Sequence, residues 1–356
     1  MNNPPSRAAQ SLTRGLASLL HQVRGLIRSA RRSAAATVDT LQVRTNFEIG
    51  RLIFEHEQKG ARRAAYGRGT IKRLAERLTV EFGRGFSERN LECMRKFYSL
   101  WQDRTQRIPQ KPSAEFPPDD PQWRLSWSHY VLLLTLSDEN ARSFYEIEAS
   151  RGAWSLPELK RQPASALYER LALSRGKAKV MELASEGQVL TRPEDMLKSP
   201  YVLEFLGLEE RPAYSESDLE AAIIGKLQHF LLELGKGFLF EARQKRFTLD
   251  EDHFYVDLVF YNRLLRCYVL VDLKLEKLTH QDLGQMQMYV NYFDRYVRLP
   301  EENPTVGILL CSRKRDALVE ITLPKGANIF ASEYRTYLPS KEELQQRLEE
   351  WMGPGS

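Results

Sequence analysis

Residues 254–276, FYVDLVFYNRLLRCYVLVDLKLE, place three charged side chains inside two apolar, strand-like runs. In the first run Phe254, Val256, Leu258 and Phe260 share one face, while Tyr255, Asp257 and Val259 share the other. Asp257 therefore sits mid-strand among apolar neighbours. After a polar tip at Asn262-Arg263, the run from Leu264 to Leu275 is, Arg266 apart, nearly continuous in Leu, Val, Tyr and Cys, which predicts a strand buried on both faces. Period two sets Asp272 and Lys274 on one face of it.

An unpaired charge in such a place costs several kcal/mol, roughly, so three of them call for a reason. One reading is an internal ion pair, Asp272 or Asp257 with Lys274, that serves only the fold. Buried ion pairs are a weak source of stability, and an apolar pair would usually serve as well. The other reading is a site. Two carboxylates suit Mg²⁺, or Mn²⁺, ions that keep several waters and bind one or two carboxylates together with substrate phosphate. A lysine beside such an ion orients or deprotonates the attacking water and offsets charge building at phosphorus.

The spacing of Asp257 and Asp272-Leu273-Lys274 resembles the PD-(D/E)xK nuclease superfamily, with Asp as the second acid and no Pro before Asp257. Gln285-Met286-Gln287-Met288-Tyr289 resembles the Q-x-x-x-Y motif of the RecB-like branch. On a helix, Gln285 and Tyr289 share a face, where Gln285 could reach the lysine and Tyr289 a phosphate; an ordinary amphipathic helix has the same spacing. The resemblance is closer still to the YhcG-type nucleases. It runs through RAAYG at Arg63 to Gly67, FGRGFSERNL at Phe82 to Leu91, LSWSHY at Leu125 to Tyr130 and FLLELGKGF at Phe230 to Phe238, covering roughly Asp39 to Tyr337.

What the resemblance implies is an α+β multidomain protein. It would join an N-terminal all-α domain to a C-terminal α/β restriction-endonuclease-like domain, a mixed sheet flanked by helices. The implied activity is metal-dependent hydrolysis of phosphodiester bonds in DNA, with Asp257 and Asp272 on the metal, joined by the Leu273 carbonyl. Lys274 would position the water, Gln285 would support Lys274, and Tyr289 would hold the strand. An acid from the first helix of this fold often completes the metal site, which points to Glu220. Ser217-Asp218-Leu219-Glu220 also reads as a capping box, in which Glu220 reaches back to the Ser217 N–H. Arg243, Gln244 and Lys245 would add charge and an amide beside the site, and Gln244 matches a Gln usual there in the YhcG-like pattern. The alternative is a DNA-binding or assembly protein whose nuclease fold no longer cleaves; a scaffold or oligomerising module is a third reading.

Outward from this stretch, 356 residues with 42% hydrophobic and 28% charged content fit about two domains of ordinary composition. A net charge of +5 is compatible with nucleic acid without requiring it. Cys93, Cys267 and Cys311 are far apart and in apolar contexts, so neither a disulfide framework nor a zinc site is expected, and a reducing, cytoplasmic setting follows. No run is apolar enough for a bilayer, and the expected partners are DNA and a further copy of the chain in a homo-oligomer, with no membrane.

Residues 1–38 hold six arginines and no acid, and read as a basic segment that becomes helical by about Leu16. A helical domain is expected over 39–190. Within it Gly83 to Phe86 forms a turn and Ser87 caps a helix through Leu91, Met94, Phe97 and Leu100. That pair of helices reads either as a helix-turn-helix presenting Arg89, Asn90 and Lys96 to DNA or as part of a bundle. The Pro-rich stretch 104–122 reads as an exposed loop, and the aromatics from Trp127 to Trp154 as core. A linker over 191–216, a nuclease domain over 217–340 and a closing helix and tail over 341–356 complete the expected order.

Overall fold

A computed structural model describes residues 7–59, 64–105, 123–175, 178–208, 214–324 and 326–352. The Pro-rich stretch 106–122, the tip of the basic segment and the tail after Met352 lie outside them. The chain divides into two units, Met1–Ser137 and Asp138–Ser356.

The first unit is helical: α1 (Arg7–Lys59), α2 (Ala64–Phe82), α3 (Glu88–Thr105) and α4 (Trp127–Leu133). Helix α1 begins at Arg7, well before Leu16. Spacings of three and four bring Val43, Phe47 and Ile53 of α1 against Leu91, Met94 and Phe97 of α3. Phe97 lies 5.6 Å from Phe47, 4.9 Å from Trp123 and 4.9 Å from Tyr130, centroid to centroid, so the aromatics after Trp123 are core. Gly50 makes the close crossing of α1 and α3 feasible, because a Cβ there would fall 2.0 Å from the Met94 carbonyl oxygen.

The second unit opens with four helices, α5 (Glu139–Gly152), α6 (Leu156–Ala164), α7 (Leu167–Leu173) and α8 (Ala178–Glu186). There follow β1 (Tyr201–Val202), α9 (Glu216–Gly225), α10 (Leu227–Leu234), β2 (Phe238–Leu249), β3 (Asp252–Asn262), β4 (Cys267–Lys277) and α11 (His280–Tyr296). The last elements are β5 (Val306–Arg313), α12 (Asp316–Thr322), β6 (Ile329–Arg335) and α13 (Lys341–Met352). The sheet runs β1-β6-β5-β4-β3-β2, antiparallel where β4, β3 and β2 meet and parallel elsewhere.

Each face of this sheet buries its own layer. Leu258, Phe260, Val271 and Leu273 pack with Leu219, Ile223 and Phe230 of α9 and α10. Val259, Leu270 and Leu309 pack with Met286, Tyr289 and Phe293 of α11. Fully burying a side chain of this size contributes about 1.5–3 kcal/mol, so these two layers dominate the unit's stability. A helix layer on each face of this mixed sheet explains the nearly continuous apolar run in β4.

The unit boundary differs from the domains read in the sequence. Helices α5 to α8 fall in the same compact unit as the sheet, and Arg170 of α7 is buried against Glu233 of α10. The stretch 191–216, expected to be a linker, instead supplies the edge strand: Tyr201 and Val202 pair with Tyr334 and Arg335 and are fully buried.

Candidate active site

The site lies where β3 and β4 part. The β2–β3 ribbon is paired from Phe238–Asn262 out to Leu249–Asp252, whereas β3 pairs with β4 only over Leu258–Asn262. Beyond Leu258 the two strands diverge while β4 continues along β5 through Lys274. Asp257 lies on one side of this fork and Asp272-Leu273-Lys274 on the other. The Leu273 N–H donates to Asp257 Oδ2 at 2.9 Å, and Lys274 Nζ meets Asp272 Oδ2 at 3.0 Å. The two carboxyls are close enough for the charge of each to act on the other. The sequence expectation that three charges converge is met by geometry.

Electrostatics follow from that crowding. Burial, and then the charge of Asp272, push the Asp257 carboxyl up to about 7, against the pull of the Leu273 N–H, Lys274 and Gln244. Burial also raises Asp272, with Lys274 opposing it. For Lys274 burial acts downward, but the Asp272 carboxylate, with Glu216 and Asp257, outweighs it and holds the ammonium above the ordinary lysine range. The cluster holds more negative than positive valence.

Helix α9 corrects the reading of Glu220. The cap is Ser215, whose Oγ accepts the Asp218 N–H at 3.2 Å while Asp218 Oδ2 accepts the Ser215 N–H at 2.8 Å. Glu220 takes no part in it. It is buried beside Leu219 and Ile223, with Oε1 taken by Arg243 Nε and Oε2 by Gln244 Nε2 at 2.5 Å. The same Gln244 nitrogen donates to Asp257 Oδ1 at 3.0 Å. Glu216, which sequence reasoning missed, stands in the first turn of α9 with Oε2 3.7 Å from Lys274 Nζ, and its Oε1 accepts the Leu275 N–H at 3.2 Å. Its position one residue after an N-cap serine was the available signal, since a carboxylate there favours the helix N-terminus.

On α11, Gln285 and Tyr289 do share a face, but Gln285 donates to the Tyr289 hydroxyl and makes no bond to Lys274. Tyr289 is 1% exposed, so a direct grip on a nucleic-acid strand is ruled out in this conformation; its ring belongs to the core, edge-on to Phe247 at 5.5 Å. Burial and the nearby Asp272 charge push its hydroxyl up to about 12. Of the residues expected to face nucleic acid, Arg243 is paired with Glu220 and Lys245 with Glu241 at 2.8 Å.

In the first unit, α2, a one-turn 3-10 segment at Arg84–Phe86 and α3 follow in the expected order. Asn90 is nevertheless consumed by packing: its Nδ2 donates to the Gly85 carbonyl at 2.5 Å and its Oδ1 accepts from Trp127 Nε1 at 2.9 Å. Lys96 Nζ donates to the Leu134 carbonyl at 2.7 Å, which leaves Arg89 as the exposed member of that trio. The bundle reading of these helices fits these bonds better than a DNA-reading face.

Among the described residues no three His, Cys, Asp or Glu side chains converge into a ready-made metal cage, and no described helix is long and apolar enough to cross a membrane. The donor set at the fork is one buried carboxylate, Asp272, and one half-buried, Asp257, the kind of partial oxygen shell that suits an ion retaining water and substrate ligands.

A mixed sheet with helices on both faces and an acid, acid-x-lysine set in its central fork defines a nuclease fold of the PD-(D/E)xK class. Residues 194–349 match the YhcG PDDEXK nuclease domain and residues 22–170 the DUF1016 N-terminal domain. The Escherichia coli (strain K12) protein "Putative nuclease YhcG" is 40% identical over 362 residues, spanning 95% of this chain and 96% of its own length. The chain belongs to the YhcG family. A solved repair endonuclease from Pyrococcus abyssi is 17% identical over 37% of this chain and 50% of its own, with a TM-score of 0.24, a likeness too slight to bear on the site.

Proposed function

We propose that the protein is a divalent-metal-dependent nuclease that hydrolyses phosphodiester bonds in DNA. The observation that carries this reading is the Asp257–Asp272 pair, one carboxyl half-buried and the other buried, with Asp257 pushed up to about 7 by burial and like charge. Two carboxylates so placed repel one another until a cation joins them. Asp257 and Asp272 would hold Mg²⁺ or Mn²⁺, with the Leu273 carbonyl as a further oxygen. Such an ion, when bound, supplies Lewis acidity toward a phosphoryl oxygen and lowers the pKa of bound water.

The chain's own residues do the rest. Lys274, held cationic by its acidic neighbours, is a hydrogen-bond donor: it orients water toward the phosphate and stabilises charge gathering on the phosphoryl oxygens. Glu216 limits the wandering of that ammonium from the α9 side. Gln285 and Tyr289 close the α11 side of the cleft, and exposed Arg89 in the other unit is a candidate phosphate contact.

The test is purified protein on plasmid, linear and branched DNA with Mg²⁺ or Mn²⁺. The expected result is metal-dependent cleavage that EDTA stops and Lys274→Ala abolishes. Binding without cleavage would select the inactive DNA-binding alternative, and a Lys274→Ala variant as active as wild type would refute the assignment of the site.

A further inference from the structure

Gln244 stands opposite Asp257 in the ribbon, between the pairs Arg243–Leu258 and Lys245–Val256. Its backbone is left-handed, with φ of +46°, a conformation that residues with a Cβ hold only where their surroundings over-determine it. Those surroundings are two carboxylates. Gln244 Nε2 donates to Glu220 Oε2 at 2.5 Å and to Asp257 Oδ1 at 3.0 Å. Glu220, ion-paired to Arg243, accepts rather than donates, so the amide nitrogen of Gln244, not its oxygen, is the atom that faces it.

With the Leu273 N–H on Oδ2 at 2.9 Å, both oxygens of Asp257 are held, one from β4 and one from β2. Glu220 is itself fixed by Arg243 and is only 3% exposed. Its two oxygens are therefore committed to a guanidinium and an amide, and the order of contacts runs Arg243, Glu220, Gln244, Asp257.

We propose that Gln244 is a positioning residue. Anchored by Glu220, it sets the orientation in which Asp257 grips a divalent cation, and Glu220 acts through Gln244 rather than as a third ligand. This rests on the nuclease reading for what the cation does, but its signature is cation binding in the absence of DNA.

The experiment is Mn²⁺ binding by isothermal titration calorimetry to the full chain without DNA, as wild type, Gln244→Met, Glu220→Ala and the double variant. Groups that orient a metal ligand change affinity by about 10–100-fold, so each single variant should bind at least about tenfold more weakly. Because the two act in series, the double variant should lose no more than the worse single one. A loss in the double variant equal to the product of the two single losses would make Glu220 an independent ligand and overturn the proposal. So would wild-type affinity in Gln244→Met.

Should Gln244→Met fail to fold, Gln244→Gly removes the same amide at a position whose φ suits glycine, and the same criteria apply. DNA cleavage by wild type is followed in parallel. Wild type that binds Mn²⁺ with the expected cycle yet never cleaves would remove the nuclease reading and leave the positioning role. Full affinity in the variants beside active wild type would do the reverse, and wild type that binds no Mn²⁺ would end both.

Discussion

Two clusters of buried charge occupy the second unit, and they settle their charges in opposite ways. Around Glu233, which is fully buried, one carboxylate is met by Arg170, Lys198 and Arg161 and by the Val202 N–H at 2.9 Å. Arg170 spends its guanidinium on Glu233, the Pro200 and Ser165 carbonyls and the Ser165 hydroxyl. Burial pushes the Glu233 carboxyl up, but those cations more than reverse it and leave it below the usual carboxylate range. At the fork, burial and like charge win and Asp257 rises to about 7. One cluster is closed, tying α7 to α10 and the edge strand. The other is open, with acid to spare beside a single lysine, and an open cluster is what binds a cation.

The largest expected effect separates them by activity. Asp272→Asn should lower Mn²⁺- or Mg²⁺-dependent DNA cleavage by about a hundred- to a thousandfold, as removal of one preorganised electrostatic group does elsewhere, while the circular dichroism spectrum stays that of wild type. The closed cluster should respond in stability instead. Glu233→Ala strands Arg170 and Lys198 without their partner and should cost about 3–5 kcal/mol in chemical denaturation, with cleavage per folded molecule unchanged. Replacing the pair together, Arg170→Met with Glu233→Leu, should cost less than Glu233→Ala alone, because the fully buried Arg170 is no longer stranded and Lys198 is the one buried cation left without its carboxylate. If both clusters lost activity and stability alike, the distinction between them would be gone. A smaller effect sharpens it: Mn²⁺ at a hundred times its Kd should stabilise wild type by about 2.7 kcal/mol and should leave Asp272→Asn unmoved, measured as a shift in Tm.

The open cluster was the more legible of the two. Asp257, Asp272 and Lys274 declare themselves because charges interrupt an apolar period-two run, and that signal is local. Glu233 sits in an amphipathic stripe where an acid is unremarkable, and its partners lie 35 and 63 residues away in the chain. The cap of α9 was misread for a related reason: Ser215-x-x-Asp218 and Ser217-x-x-Glu220 are equivalent as patterns, and only the burial of Leu219 and Ile223 decides which serine lies outside the helix. A two-residue strand such as Tyr201–Val202 is too short for any period, and the prolines around it mimic a linker. The left-handed backbone of Gln244 has no sequence signal at all, since glutamine is not a residue that favours it.

The smallest effect per step of the variable changed concerns pH, and here the clusters should slope in opposite directions. Asp257 has a folded pKa near 7 against roughly 3.9 when unfolded. Between those values the folded chain holds a proton that the unfolded chain has lost, so stability falls as pH rises, by at most about 1.4 kcal/mol per pH unit for one group. Glu233 is depressed when folded, so its contribution is present above its unfolded pKa and is lost as pH falls through the lower, folded one. Urea denaturation in EDTA across pH 3–8 should therefore show stability lost on both sides of a maximum. Asp257→Asn should flatten the neutral limb and leave the acid limb in place. Saturating Mn²⁺ should flatten the neutral limb of wild type as well, since an ion bound to the ionised carboxylates favours the form that burial alone disfavours. A neutral limb that persists in Asp257→Asn would mean that the strain at the fork belongs to other groups, and the contrast with the Glu233 cluster would have to be drawn without it.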